Sequence, residues 1–245
     1  MPDQVKIGFV NAGSGGGSTH MDLFRTIIPS EVRFDAEGLG VLDESTENFD
    51  IRYDLRGDYD PLIEKANAVA AQRGWDGMIM AAAPLEVMNP GLADRLDRDI
   101  DIPVTTALNA GSNALKAFGA KRALLITPFT ERMNARLREN LRGRGIEAST
   151  FGEFETHTQA MQLQPEEVRQ RAMAALDQAG QVDAVYFQGA VLDPLRVLDT
   201  LEQDAEMPVI ASNPAMLWYI LSKLGRHYSV DGYGKLLKQW PEAPN

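Results

Sequence analysis

Residues 75–80 read WDGMIM and residues 182–187 read VDAVYF, each an aspartate near the head of a short apolar run. Both runs break into small residues, Ala81, Ala82, Ala83 and Pro84 after the first and Gly189 and Ala190 after the second. Further on, Ile102-Pro103-Val104 matches Met207-Pro208-Val209, and each is followed by a helical stretch closed by Gly119 or Gly225. The spacings agree: 27 and 25 residues from aspartate to proline, then 16 and 17 from proline to glycine. Upstream of each copy another apolar strand breaks into a polar turn before a helix, VKIGFVNAGSGG from Val5 and RALLITPFTERMN from Arg122. The chain therefore reads as a duplicated α/β unit. The predicted fold is two pseudo-twofold-related, four-stranded, parallel-sheet (flavodoxin-like) α/β domains, residues 1–107 plus 213–245 and residues 108–212. The ligand cleft lies between them, where the C-terminal ends of the strands face each other.

The expected strands are Val5 to Val10, Phe49 to Tyr53, Gly77 to Met80, Val104 to Thr106, Ala123 to Thr127, Glu147 to Thr150, Ala184 to Phe187 and Val209 to Ala211. Between them Leu62, Ile63, Ala66, Val69 and Ala70 recur at helical spacing after Pro61, as do Met133, Leu137 and Leu141 ahead of Gly143 and Gly145. Pro165, Glu166 and Glu167 open a further helix with the stripe Val168, Ala172, Leu176 and Ala179, and Gly180 is expected to close it in a left-handed cap.

Composition narrows the chemistry. The 245 residues include no cysteine, which excludes disulfides, thiolate nucleophiles and cysteine-held metals. A formal charge of −11 argues against nucleic acid, whose phosphates are bound by clustered Lys and Arg. The basic run Arg136, Arg138, Arg142 and Arg144 alternates with Glu139 and reads as a solvated helix face. No run approaches the roughly 18 apolar residues of a membrane span, and Val5 to Val10 is too short for a signal h-region. A cytoplasmic protein is expected, with a small carboxylic acid as partner, no nucleic acid or membrane, and a homo-oligomer as an open alternative.

Candidate site residues lie at the strand ends. The turn Asn11 to Thr19 (NAGSGGGST) puts Ser18 where a dinucleotide fingerprint needs its third glycine, and no Lys-Ser/Thr pair follows for a phosphate loop. Its free N–H groups suit a carboxylate instead, which makes Asn11, Gly13 and Ser14 binding candidates. His20, His157 and His227 show no metal-ligand spacing, so no metal or cofactor is expected. His20 and His157 follow strands and are candidate proton carriers near pH 7, and Tyr186 and Asp193 join them as catalytic candidates. Asn109, Asn134 and Asn213 recur near element starts, where an amide binds carboxylate oxygens without titrating or simply caps a turn. Glu86, like Asp193, lies just past an aspartate-led strand and reads as a cap.

At these residues the chain resembles the arylmalonate decarboxylase and maleate isomerase branch of the aspartate/glutamate racemase superfamily. The resemblance runs through FDAEGLG (Phe34 to Gly40), PVTTALNAGSNALKAFGAKRALLITPF (Pro103 to Phe129), Asn134, PVIASNPAMLW (Pro208 to Trp218) and GYGKL (Gly232 to Leu236). It implies cofactor-free carbanion chemistry on small carboxylates. In such enzymes cysteines donate and accept the proton while backbone N–H and hydroxyl groups hold an enediolate. The cysteine positions correspond here to Ala82 and Gly189. Where relatives carry hydroxyl residues after the first of these, this chain has Ala83 and Pro84, and where many carry tyrosine after Thr127-Pro128 it has Phe129.

The resemblance leaves a set of groups able to hold an oxyanion: the N–H groups of Ala82, Ala83, Gly189 and Ala190, with Thr127, Phe129, Asn134, Gln188 and Asn213 around them. Such preorganised donors are worth roughly 3–4 kcal/mol each when charge develops. Met80, Met88, Phe129 and Phe187 would make the pocket apolar. The expected function is a cysteine-independent, cofactor-free lyase or isomerase acting on a small carboxylic acid through an enolate-like intermediate. The alternatives are a non-catalytic carboxylate-binding or regulatory protein and, behind it, a metal-assisted enzyme using His20 or His157.

Overall fold

A computed structural model describes residues 4–15, 19–46, 48–150, 157–189, 191–192 and 194–244, with the side chains of residues 19, 20, 157 and 158 outside that description. Strands β1 (Val5–Asn11), β2 (Val32–Gly38), β3 (Gly77–Met80) and β4 (Val104–Thr106) form one sheet in the order β2-β1-β3-β4. Strands β5 (Arg122–Ile126), β6 (Glu147–Thr150), β7 (Ala184–Phe187) and β8 (Val209–Ala211) form a second in the order β6-β5-β7-β8. Every pairing is parallel. The helices are α1 (Thr19–Thr26), α2 (Phe49–Arg52), α3 (Asp60–Arg73), α4 (Ala83–Met88), α5 (Leu92–Asp99), α6 (Ala107–Ala117), α7 (Glu131–Gly143), α8 (His157–Met161), α9 (Pro165–Ala179), α10 (Leu198–Ala205), α11 (Ser212–Lys223) and α12 (Gly234–Gln239).

The duplicated aspartates have a shared job. Asp76 accepts the Lys6 N–H at 2.8 Å and returns its own N–H to the Lys6 carbonyl, locking the start of β3 to β1. Asp183 does the same with Arg122 at 2.9 Å, and its carboxylate also grips the Arg122 guanidinium. Each aspartate thus satisfies a backbone donor at the strand start that the ladder leaves over. Strands β3, β4, β7 and β8 are buried along their whole length, as parallel strands covered on both faces must be.

Helices α6 and α11 pack on each other between the sheets. Each leaves the last strand of its own sheet and crosses to the other: α11 covers β3 and β4, and α6 covers β7 and β8. A single large core runs from Ile7 and Ile79 of the first sheet through Leu108, Trp218 and Ile220 to Leu124, Val185 and Phe187 of the second. A smaller core under α3 and α5 fills the other face of the first sheet with Val10, Met78, Met80, Leu62 and Leu96.

Three expectations are corrected. The second strand of the first sheet is Val32–Gly38, and Phe49–Arg52 is a single helical turn. Phe49, Ile51 and Tyr53 alternate as a strand would, but the Asn48 side chain accepts the Asp50 N–H at 3.0 Å and caps a helix start there. The fifth strand ends at Ile126, leaving Thr127 in the turn. Gly180 takes positive φ after α9, but with ψ of −143° it is not the left-handed cap.

Candidate functional site

The two aspartate-led strands end alike. Past β3, Ala82 adopts φ 77° and ψ 101°, a conformation L-residues with a Cβ rarely take, and past β7 Gly189 adopts φ 116°. Among the described residues, the N–H groups of Ala82, Ala83 and Gly189 have no hydrogen-bond partner. Matching positions of the two sheets therefore offer backbone donors where each strand breaks. Neither side chain can move a proton, and position 189 has no room for one: a Cβ there would stand 2.5 Å from Pro128 Cδ.

The turn after β1 is already engaged. Asn11 Oδ1 accepts the Gly13 N–H at 3.0 Å. The Ser14 N–H donates to Glu44 Oε1 at 3.2 Å and the Ser14 hydroxyl to Glu44 Oε2. Arg52 adds Nη2 to the same Oε1 at 3.2 Å. The Ser14 hydroxyl and amide hold the Glu44 carboxyl below the usual carboxylate range, with Arg52 assisting. Glu44 belongs to a strap anchored at both ends in the first half of the molecule and touching the second half in between. Lys65 Nζ fixes its start at the Leu39 carbonyl, 3.0 Å away, and Asn89 fixes its end at Leu55 N and Tyr53 O. In between, Phe49 meets the edge of Phe129 at 6.0 Å and Asp50 pairs with Arg132 at 2.8 Å, both partners lying in the second half.

Several polar candidates turn inward to satisfy one another. Thr127 donates its hydroxyl to Asn134 Oδ1 and accepts the Phe129 N–H at 3.2 Å, while Asn134 Nδ2 reaches the Phe129 carbonyl at 3.3 Å. All three residues are buried, and together they shape the β5 to α7 turn. The Tyr186 hydroxyl donates to Gln188 Oε1 inside the core, and burial pushes its titration far above the ordinary tyrosine value, with Glu86 adding to the rise. That arrangement corrects the reading of Tyr186 as a proton carrier: its side chain is fully buried and keeps its proton. Asn213 is buried in the first turn of α11, and Phe129 is a core residue, as are Met80 and Phe187.

A buried ion pair unforeseen from sequence bridges the halves. Glu86 of α4, 5% exposed in its side chain, pairs with Arg144 at the end of α7, 23% exposed. Thr106 donates its hydroxyl to Glu86 Oε2, and Arg144 Nε reaches Asn140 at 2.8 Å. Burial pushes the Glu86 carboxyl up, and Arg144 and Thr106 pull against that shift. Arg144 is thus no part of a solvated face. On its outer side a cavity of about 520 Å³ is lined by Asn109, Asn140, Tyr219 and Lys223.

Ala190 and Asp193 lie outside the described residues. His20 sits in the first turn of α1 and His157 opens α8, and the side chains of both lie outside the description. Among the described residues, no group of three or more His, Asp or Glu gathers as a metal site, and no helix is long and apolar enough to cross a membrane.

Comparison with known proteins agrees with this geometry. A family model described as arylmalonate decarboxylase matches residues 24–237. A maleate isomerase of Alcaligenes faecalis is 26% identical over 144 residues, covering 58% of this chain and 56% of that protein, so the chain spans little more than half its length in that match. Among solved structures, unliganded arylmalonate decarboxylase superposes with a TM-score of 0.77 at 21% identity, covering 96% of this chain and 99% of the other. The maleate isomerase Iso from Pseudomonas putida S16 gives 0.75 at 21% identity, covering 96% and 98%. At these identities the structural likeness establishes the fold.

Proposed function

Because the chain belongs to the arylmalonate decarboxylase family, we propose that it is a cysteine-independent, cofactor-free lyase or isomerase of a small carboxylic acid. The reaction passes through an enolate-like intermediate. Loss of CO₂ or of an α-proton leaves an electron pair on the α-carbon, which delocalises onto the remaining carboxylate. The N–H groups of Ala82, Ala83 and Gly189 take the charge that develops on the carboxylate oxygens, the first two from one half of the duplication and the third from the other. The observation that carries the reading is the pair of strand tips held in positive φ with N–H groups unbonded among the described residues. A proton then returns to carbon from a group other than a thiol, with His20, His157 and Asp193 as its candidates.

The methyl of Ala82 and the bare Gly189 favour a second reading, a carboxylate-binding protein without turnover. One experiment separates the two. The protein is incubated in D₂O with aryl- and alkylmalonates, maleate and 2-hydroxy acids, and CO₂ release and deuterium at the α-carbon are followed by NMR. Product with solvent deuterium supports the enzyme. An acid that binds and is recovered unchanged supports the binding protein, and absence of turnover across the panel overturns the catalytic proposal.

A further inference from the structure

We propose that Glu44 is an internal ligand, its carboxylate occupying the seat that a carboxylate of the incoming acid takes on Ser14 and Arg52, so that binding exchanges one for the other. The inference rests on the carboxylic acid ligand proposed above. The seat is built for a carboxylate: Oε1 receives the Ser14 N–H and Arg52 Nη2, each at 3.2 Å, and Oε2 receives the Ser14 hydroxyl. Gly13 lets the carboxylate come this close to backbone, since a Cβ there would stand 2.5 Å from Glu44 Oε1.

The position of the seat suits a ligand of the strand tips. β1 and β3 are hydrogen-bonded neighbours, with the Ala81 N–H on the Val10 carbonyl at 3.0 Å, and adjacent strands run about 4.8 Å apart. The turn carrying Ser14 follows directly on β1 and is backed by Gly38 and residues 39–41, so the seat stands at the same carboxyl edge of the sheet as the Ala82 and Ala83 N–H groups, the edge where parallel sheets take their ligands.

Arg52 supplies the independent observation. Its Nε is buried and has no partner among the described residues, although Nη2 is bonded. Glu44 thus engages one prong of a guanidinium whose geometry accepts two. A free carboxylate, released from the constraint of the strap, can seat fork-on-fork across Nε and Nη2 and satisfy the left-over donor. The strap tolerates the exchange, because Lys65 and Asn89 hold its ends independently of Glu44.

The test uses malonate as probe. Its affinity is measured by calorimetry for the whole protein and for E44Q and R52Q, with circular dichroism confirming the fold of each. An internal carboxylate that fills the seat at least nine-tenths of the time weakens an outside one about tenfold or more, so E44Q binds malonate at least about tenfold tighter and R52Q markedly weaker. Unchanged or weaker binding by E44Q, or no malonate binding by any of the three, overturns the proposal. Hydrogen exchange of the unmodified protein gives a readout free of folding artefacts. Amides of residues 41–46 exchange faster with malonate if Glu44 is expelled, and slower protection-bound exchange overturns the proposal. Turnover is scored separately: malonate bound by this exchange but never converted retires the catalytic reading alone, whereas turnover with unaltered E44Q affinity retires the exchange alone.

Discussion

Replacing Arg144 with methionine withdraws the guanidinium from Glu86 while keeping an apolar stem against α4. Glu86 is then a carboxylate with almost no access to water, left with the Thr106 hydroxyl as its remaining donor. Staying charged there costs more than taking up a proton, so the variant protonates Glu86 on folding. Holding a proton at pH 7 on a carboxyl whose ordinary value is 4.5 costs about 3 kcal/mol, at roughly 1.4 kcal/mol per pH unit. At about pH 5 the same step costs less than roughly 1 kcal/mol. The sign follows from linkage: a carboxyl raised in the folded state binds more protons there than in the unfolded chain, so the variant loses stability as pH rises above 4.5. Urea denaturation at the two pH values measures this directly. R144M should fall below the unmodified protein near neutrality, by at most about 3 kcal/mol because burial already raises Glu86 with Arg144 in place, and recover most of the difference in acid, while E86Q/R144M should be nearly indifferent to pH. Equal destabilisation at both pH values would mean that Arg144 contributes packing rather than charge, and would refute the reasoning.

Three further outcomes follow from the geometry. Ala82→Gly relieves the φ of 77° and, after the added freedom of the unfolded chain, should stabilise by about 1 kcal/mol, a rise of about 2–4 °C in Tm by calorimetry. Gly189→Ala places a methyl 2.5 Å from Pro128 Cδ at φ 116° and should cost about 2–3 kcal/mol in the same assay. The Arg122 guanidinium and the Lys121 and Arg122 N–H groups hold Asp183 well below the usual carboxylate range, so its contribution is present above the ordinary value of 3.8 and fades as pH falls further. D183N should therefore be less stable than the unmodified protein near neutrality, with the gap narrowing in acid below that value, as denaturation across a pH series would show.

The parallel cores were legible because strands buried on both faces appear as continuous apolar runs, and the duplication supplied their order. β2 escaped because it lies at a sheet edge, where Arg33, Asp35 and Glu37 interrupt its apolar residues. Asn11, Gly13 and Ser14 were visible as a donor-rich turn, but their partner Glu44 stands 30 residues from Ser14 in a polar loop without periodicity. Glu86 and Arg144 are 58 residues apart and met only when α4 and α7 packed together. Tyr186 shows the opposite failure. A hydroxyl near a strand tip suggested chemistry, yet the strand aims that side chain under α6, where its oxygen lies 3.3 Å from the Ala107 carbonyl.

The exchange of α6 and α11 between the sheets bears on how the molecule folds and how it arose. A chain cut after β4 leaves β3 and β4 without the helix that covers them, exposing Ile79, and the remainder has lost the cover of β7 and β8. Neither fragment has a complete core, so the two copies should melt in one cooperative transition and should not be expressible as separate modules. An ancestral single copy with this connectivity would have needed a second identical chain to supply the missing helix, which makes a swapped dimer the natural precursor of the fused protein.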